Sequence, residues 1–524
     1  MTSTNKIMST NPRLASLLSD VERGNIKIPV FQRDYVWNDE QIMSLLDSIY
    51  SGYPVGSLLL WSTKEILNHE RNVGSFILPS STDDYPVSYV LDGQQRLTTL
   101  YGVFNSDKPT NDSELAKRFD VCFVPSTHQF IHSSAADPST SINMNVILDT
   151  TKLLPQLARF KEPSDQKSIA TLTEKFKDYE FPVVTIKERT NQEVCRVFQR
   201  INSSGTRLST LELLSAWTWS EQFNLRNEIE SLLDSISDRG YEQLDEALLM
   251  RCLTAIVNGG IDSDSLVDAP PEVLISSMTS LKQSLYATID FLDSELKIKN
   301  VVFLPFPIML VPLVSFFSKN LRPDSAQLVS LKKWFWFCSF SQKYKAGTNT
   351  FVVEDIKKLE KLANTPSENL VFNNDIDGEM FKKSWRINST AAKATICLLA
   401  QLQPKSFITG KNVDLGQTMS AYNSRQFHHI YPKASLARIG INFHESNVIA
   451  NICFLTAEDN LKISDNDPKD YFPTIPDNVK NEVFHSSLIP ESTRDGSKTF
   501  SEFIALRSKS LEELAKKAII TGSV

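Results

Sequence analysis

The segment from Phe427 to Tyr471 concentrates residue types that can activate water or bind a metal ion: His428, His429, Asn451 and Asn460. If a strand carries the two histidines and a helix returns Asn460, two metal ligands and one unliganded imidazole can meet. This set suits phosphodiester hydrolysis, because the imidazole takes a proton from water, a divalent ion stabilises phosphate charge and an amide orients the base. A purely structural histidine pair is the alternative. It is disfavoured because three of the seven histidines fall within this segment.

A second segment, VLDGQQRLTTL at Val90–Leu100, predicts an anion site. A short apolar strand ends at Asp92, and a helix begins directly after Gly93. Glycine lets backbone approach a ligand closely, and a helix start directs backbone N–H groups towards an anion. Arg96 could bind phosphate with two hydrogen bonds, while Asp92 could bind a metal or orient water. The alternative is that Asp92 only caps the helix and Arg96 is its first-turn partner. The segment is not a P-loop.

Two further segments carry basic and amide side chains among apolar residues. Ile28–Trp37, IPVFQRDYVW, contains Gln32 and Arg33, and Val197–Thr210 reads VFQRINSSGTRLST. Each also has an ordinary structural interpretation: a strand or extended turn with an ion pair for the first, and a helix, its C-cap and a loop for the second. We expect both segments to line the same anion pocket as the DGQQR segment.

The surrounding pattern predicts an α+β multidomain protein. In the first part of the chain we expect strands at Val55–Trp61, Ser88–Leu91, Val121–Val124 and Phe181–Ile186, and helices at Asn38–Ser51, Gln94–Phe104, Asn191–Asn202 and Thr210–Glu221. Helical spacing then dominates, and a terminal amphipathic helix is expected near Ser501–Ala518. The predicted domains are an α+β domain at 1–222, a helical connector at 223–400 and a compact domain at 401–524.

Length and composition limit the class of protein. A chain of 524 residues needs more than one core, and the scarcity of glycine, 17 residues, favours helix over a many-stranded β protein. The net charge of -7 gives no support for a nucleic-acid partner, so that case rests on motifs. Single, scattered cysteines and a polar N-terminus predict reduced thiols in a cytoplasmic protein. The apolar run Val301–Phe317 is interpreted as a buried helix and not a membrane span, because it contains three prolines.

The motifs together resemble a known family. IPVFQRDYVW, LDGQQRLTTL and FQRINSSGTRLS, in this order, resemble the signature segments of the N-terminal domain of GmrSD-type, modification-dependent (type IV) restriction enzymes. FHHIYPK, NVIANICFL, NLKIS and PKDY are similar to the C-terminal HNH-type nuclease domain of the same enzymes, a ββα-metal or His-Me finger fold. The resemblance implies a ParB/sulfiredoxin-like N-terminal domain that binds and hydrolyses a nucleoside triphosphate (GTP, ATP, UTP or CTP).

The resemblance also implies roles for individual residues. Those matching the nucleotide-binding segments are Asp92, Gly93, Gln94, Gln95, Arg96, Gln32 and Arg33. In the nuclease block, His429 stands at the general-base position and Asn451 at that of the asparagine that orients the base. His428 and Asn460 stand at metal-ligand positions. His428 departs from the pattern, because many HNH nucleases have an Asp there. The implied metal is Mg2+ or Mn2+, and no CxxC pair suggests structural zinc.

These features predict a nucleotide-dependent DNA endonuclease that restricts foreign, modified DNA in phage defence. Double-stranded DNA and a nucleoside triphosphate are the expected partners, a membrane is not, and a homodimer is left open. The alternative is a DNA- or nucleotide-binding regulatory protein with an inactive nuclease domain, which His428 in place of Asp favours. A redox protein is disfavoured, because no cysteine lies in the pocket motifs.

Overall fold

A computed structural model describes residues 7–29, 35–64, 69–70, 72–78, 86–187, 189, 193–194, 196–197, 210–218, 223–365, 369–419 and 427–524. Its chain divides into two compact units, residues 1–225 and 226–524. The first unit contains the sheet and the second is mainly helical, so the prediction of an α+β protein is confirmed. The boundary at residue 400 stays a prediction.

The first unit is built on a mixed sheet. Its strands are β1 (Ile7–Thr10), β2 (Ile26–Pro29), β3 (Leu58–Thr63), β4 (His69–Glu70), β5 (Asn72–Val73), β6 (Phe76–Ile77), β7 (Val87–Asp92), β8 (Val121–Val124), β9 (Gln129–His132), β10 (Ile142–Asn143) and β11 (Val183–Lys187). Among the described strands, six form one sheet in the order β1-β11-β3-β7-β2-β4. The pairs β11–β3 and β2–β7 are parallel, and the other three are antiparallel.

Helices pack against this sheet, and α3 directly follows its inner strand β7. They are α1 (Leu14–Glu22), α2 (Asp39–Ser51), α3 (Gln94–Phe104), α4 (Ser113–Lys117), α5 (Thr150–Leu157), α6 (Pro163–Asp178) and α7 (Thr210–Thr218). Apart from its first residue and Arg96, α3 is buried, because its apolar side chains join the core formed with α1, α2 and α6. Residue Asn38 caps α2 through a capping box, and Gly52 ends that helix in the left-handed conformation.

Several predicted elements coincide with this unit, and others were missed. The structure has the strand Val121–Val124 and the helix Gln94–Phe104 with the predicted bounds, whereas the strand predicted from Val55 begins at Leu58. Most of the helix predicted at 191–202 lies outside the described residues. The strands β1 and β2 and the helices α1 and α6 were not predicted. β1 is exposed along its length and pairs at the sheet edge, so its sequence carries no burial signal.

The described residues of the second unit form helices and one two-stranded antiparallel sheet. Its helices are α8 (Leu225–Ile236), α9 (Glu246–Asn258), α10 (Pro271–Ser294), α11 (Leu310–Lys319), α12 (Ser325–Ser341), α13 (Thr348–Asn364), α14 (Thr390–Gln401), α15 (Leu415–Thr418), α16 (Lys433–Arg438), α17 (Phe443–Ser446), α18 (Ala457–Ile463), α19 (Pro468–Tyr471), α20 (Asp477–Ser486) and α21 (Phe500–Thr521). The strands of this two-stranded sheet are β12 (Phe427–His429) and β13 (Ile452–Phe454). The C-terminal helix α21 packs on α12.

The apolar run Val301–Phe317 is buried inside this unit, as the sequence predicts. It forms two short 3-10 turns, Val301–Phe303 and Pro307–Met309, and then enters α11. Pro307 opens the second turn and Pro312 lies in the first turn of α11, where the backbone N–H needs no helical acceptor. Among the described helices, none is both long and apolar enough to cross a membrane.

Candidate functional site

The guanidinium of Arg96 lies beside two glycines, Gly56 and Gly93, where β3 begins and β7 ends. Its Nη2 donates hydrogen bonds to the Ser57 carbonyl (2.8 Å) and to Asp92 Oδ2 (3.2 Å). Gly93 precedes α3 with φ +92°, so a side chain there would be strained, and its Cβ would lie 2.4 Å from Leu58. A Cβ at Gly56 would lie 3.2 Å from Arg96 Nη1. The absence of these side chains leaves room around the charged group.

The structure joins the first signature segment to the DGQQR segment. The backbone N–H of Val36 donates to Gln95 Oε1 (2.9 Å), and the Tyr35 hydroxyl lies 2.8 Å from Thr99 Oγ1. Burial raises the pKa of Tyr35 to about 12, so its hydroxyl is un-ionised. Gln95 therefore links the two segments, and its role in nucleotide binding stays a prediction. Gln94 begins α3 and is half-buried.

Other parts of the predicted pocket lie outside the described residues. These are Gln32, Arg33 and positions 198–209 of the third segment. A cavity of about 620 Å³ nevertheless adjoins Arg96. The described residues that line it are Trp37, Asn38, Glu40, Gln41, Ser44, Leu45, Ser48, Val55 and Arg96. Its volume falls in the range of pockets that hold small organic ligands.

In the second unit, the histidine pair lies on β12 of the two-stranded sheet. β12 pairs antiparallel with β13, so that His428 faces Cys453 and His429 faces Ile452. The helix α18 follows β13 within three residues. Both histidines therefore lie on a strand and Asn460 on a helix, as predicted, but the helices α16 and α17 and the strand β13 lie between them.

The imidazole of His429 is held in one tautomer. Its Nε2 lies 2.9 Å from Asn447 Oδ1, and Asn447 Nδ2 donates to the Trp385 carbonyl (3.1 Å). Because that second bond places the amide oxygen towards the ring, Nε2 carries the hydrogen and Nδ1 keeps its lone pair. Burial, and next the positive charge of Lys433, lower the pKa of His429 to about 4, so the ring is neutral at pH 7. A neutral, oriented imidazole can accept a proton at Nδ1.

Asn451 contacts the backbone next to His429 and not its ring. The amide of this fully buried residue accepts from the Tyr431 N–H (2.9 Å) and donates to the carbonyls of Tyr431 and Ser446 (3.0 Å each). The Asn451 carbonyl also accepts from the Ile430 N–H. It therefore fixes the chain directly after His429. The role of Asn451 in orienting the base stays a prediction. If it has this role, it acts through the backbone that follows His429.

Asn460 lies in α18, a helix whose first turn is stabilised by side-chain hydrogen bonds. Asp459 is fully buried, and its carboxylate accepts hydrogen bonds from Thr456 within the capping box and from Ser406 Oγ (2.7 Å). The side chain of Asn460 itself is exposed. Within the described ranges, no group of three or more His, Cys, Asp or Glu side chains is placed to hold a metal ion. The ligand roles of His428 and Asn460 stay predictions.

Sequence reasoning missed two residues of this site. Asn447 was one of several polar residues in HESNVIAN, and nothing in the spacing distinguished it. Lys433 begins α16, and its ammonium packs 4.4 Å from the ring centre of Phe443. A cation close enough to lower the pKa of His429 is also well placed to attract a phosphate. The basic residue in FHHIYPK was the available signal for it.

Two comparisons bear on these sites. Residues 14–219 match the family described as GmrSD restriction endonuclease, N-terminal domain, a span that includes α2, α3 and the cavity. The Uncharacterized protein MJ0686 of Methanocaldococcus jannaschii is 22% identical to this chain over 513 residues, covering 87% of this chain and 86% of that protein. The similarity to this relative therefore extends through both compact units.

Proposed function

We propose that the chain is a nucleotide-dependent DNA endonuclease, because residues 14–219 match the family described as GmrSD restriction endonuclease, N-terminal domain. Its nuclease centre is the HNH-type segment around His429. It acts in the cytoplasm on foreign, modified DNA, and its role is defence against phage. The ParB/sulfiredoxin-like and ββα-metal fold assignments belong to this proposal.

The observation that carries the nuclease assignment is the orientation of His429. Its Nε2–H donates to Asn447, so Nδ1 is the proton acceptor. Water gives a proton to Nδ1 of His429 as its oxygen attacks the scissile phosphate, the bond from phosphorus to the leaving sugar oxygen breaks, and that oxygen takes a proton from solvent. Lys433 holds the neighbouring phosphate by charge attraction.

The donors proposed to hold a divalent ion are His428 and Asn460. Both are neutral, so water and phosphate oxygens would fill the remaining coordination positions of Mg2+ or Mn2+. When bound, the ion supplies positive charge that stabilises the leaving oxygen. Cleavage dependent on added Mg2+ or Mn2+ tests this assignment. Asn460→Ala is expected to raise the metal concentration needed for half-maximal rate.

Supercoiled plasmid cleavage tests the nuclease, with His444 as a matched position. His429→Ala should lose cleavage by roughly 100-fold or more, the usual contribution of a general base. His444→Ala should cleave like wild type, because His444 is an exposed residue of the same segment. Equal cleavage by wild type and His429→Ala would overturn the assignment. Absence of cleavage by wild type on modified and unmodified DNA would favour the regulatory alternative.

Nucleotide dependence is proposed to act through the Arg96 pocket. Arg96 can bind a phosphate through donors not used in its bonds to Ser57 and Asp92. Arg96→Ala should abolish triphosphate hydrolysis and change the rate of plasmid cleavage, and modified DNA should change the hydrolysis rate in wild type. Both rates measured with and without each ligand test this. Independent rates in every combination would separate the two activities.

The target DNA is proposed to be modified phage DNA. Plating phages whose genomes carry different base or backbone modifications on cells expressing the chain, or its His429→Ala variant, identifies the sensed modification. Protection that is equal for modified and unmodified phages would show that modification is not sensed.

A further inference from the structure

Helix α2 presents one continuous face to the cavity beside Arg96. The lining residues Gln41, Ser44, Leu45 and Ser48 are spaced by three, four and seven positions, which places them on one side of a helix. Leu45 is buried and forms the apolar floor, whereas Gln41 and Ser44 are exposed. This face of α2 was not among the residues predicted to bind a ligand.

The hydrogen bonds of this face define what it can offer a ligand. Gln41 Oε1 accepts from the Asn38 N–H (2.9 Å), so its NH2 group is the part left to donate. The Ser48 hydroxyl donates to the Ser44 carbonyl (2.7 Å) and keeps its oxygen as an acceptor. The face therefore offers neutral donors and acceptors over an apolar floor. Such groups suit a sugar or a base better than a phosphate.

Charge is distributed unevenly over the lining. Among the described lining residues, Arg96 carries the positive charge and Glu40 the negative charge. A polyphosphate is attracted to Arg96 and repelled by Glu40, while ribose hydroxyls or base N–H groups can donate to Glu40. The indole of Trp37 adds an aromatic surface on which a base can stack. The cavity thus suits a ligand with an anionic part and a neutral, partly aromatic part.

We propose that the Gln41–Ser44–Ser48 face of α2, with Trp37, binds the nucleoside part of the ligand and sets which nucleotide is accepted. Arg96 binds its phosphates. This inference rests on the proposed nucleotide-binding function and assigns its specificity to residues outside the DGQQR segment. Inorganic tripolyphosphate should therefore bind through Arg96 without using α2.

Calorimetric titration of the full chain with the four nucleoside triphosphates and with sodium tripolyphosphate tests whether α2 binds the nucleoside part and Arg96 the phosphates. Ser44→Leu should weaken binding of the preferred nucleotide roughly tenfold or more by filling its space, and should leave tripolyphosphate within about twofold. Ser51→Leu is the matched control, because Ser51 is an exposed serine of the same helix that does not line the cavity. Gln41→Ala should change the order of preference among the four nucleotides. Arg96→Ala should weaken both probes.

The outcomes separate this inference from the function on which it rests. Wild-type chain that binds neither probe overturns the proposed nucleotide-binding function. Nucleotide binding that depends on Arg96 but is equal in Ser44→Leu, Ser51→Leu and wild type overturns the role of α2 alone. Equal weakening of both probes by Ser44→Leu also overturns it, because the phosphates would then share the α2 face. Thermal unfolding of each variant verifies that the fold is retained.

Discussion

Gly56 offers a sharp test of whether Arg96 must keep its observed position. Gly56 has φ +85°, and a Cβ built on it lies 3.2 Å from Arg96 Nη1. That distance is tighter than ordinary contact, so Gly56→Ala should move the guanidinium by a few tenths of an ångström. The hydrogen bond from Nη2 to the Ser57 carbonyl, 2.8 Å long, would have to move with it. We expect nucleotide binding to weaken.

Two separate costs set the size of this effect. An alanine in the left-handed region costs about 1–2 kcal/mol of folding stability, whatever surrounds it. A misplaced guanidinium loses part or all of a charge-assisted hydrogen bond to phosphate, which contributes about 1.5–3 kcal/mol. Complete loss would weaken nucleotide affinity by roughly 10- to 150-fold. The first cost appears in unfolding and the second in binding.

Gly52→Ala is the control that isolates the second cost. Gly52 has φ +76°, and a Cβ built there meets no atom within 4 Å. Both variants should therefore lower the thermal unfolding midpoint by similar amounts, whereas only Gly56→Ala should lose nucleotide affinity. Titration calorimetry of the two variants beside wild type measures the difference. Affinities that agree within about twofold between Gly56→Ala and Gly52→Ala would refute the argument.

Three further predictions concern the second unit. Asn447→Ala should slow plasmid nicking roughly 10- to 100-fold by releasing the His429 ring, and Asn447→Asp should restore part of the rate because it keeps an acceptor. An unchanged rate in Asn447→Ala would contradict this. Asp355 is fully buried and lies 2.7 Å from the Lys343 ammonium, so Asp355→Ala should destabilise the unit by about 3–5 kcal/mol in urea unfolding. Arg507 is fully buried and donates to three backbone carbonyls, so Arg507→Met should lower the unfolding midpoint and Arg507→Lys should not restore it; a midpoint equal to wild type would contradict this.

Local signals explain which elements of the fold could be predicted. Residue Gly93 directly before an apolar periodic run marks the start of α3, and the run ends at Phe104, so both bounds were available from the sequence. The capping box of Asn38 with Gln41 marked α2 in the same way. In contrast, β2 is a four-residue strand whose position depends on its parallel pairing with β7. Pairing between distant strands leaves no local pattern, so this element was missed.

The candidate site shows a similar limit. The sequence identified the histidine pair and the following helix, because their residue types are unusual and close together. It did not identify the partner of the imidazole, because Asn447 and Asn451 are the same residue type only four positions apart. The path of the chain decides between them. The Asn451 side chain turns to the backbone of Tyr431, whereas Asn447 reaches the ring.

The two amides restrain different parts of His429 on the two-stranded sheet. A histidine on a three-residue strand has few neighbours to restrain it, so both its backbone and its ring need separate partners. Asn451 restrains the backbone through Tyr431, and the Tyr471 hydroxyl adds a bond of 2.7 Å to the Ile430 carbonyl. Asn447 then has only the ring rotation and tautomer to set. Because the two restraints act on different degrees of freedom, we expect that neither amide can replace the other in holding His429.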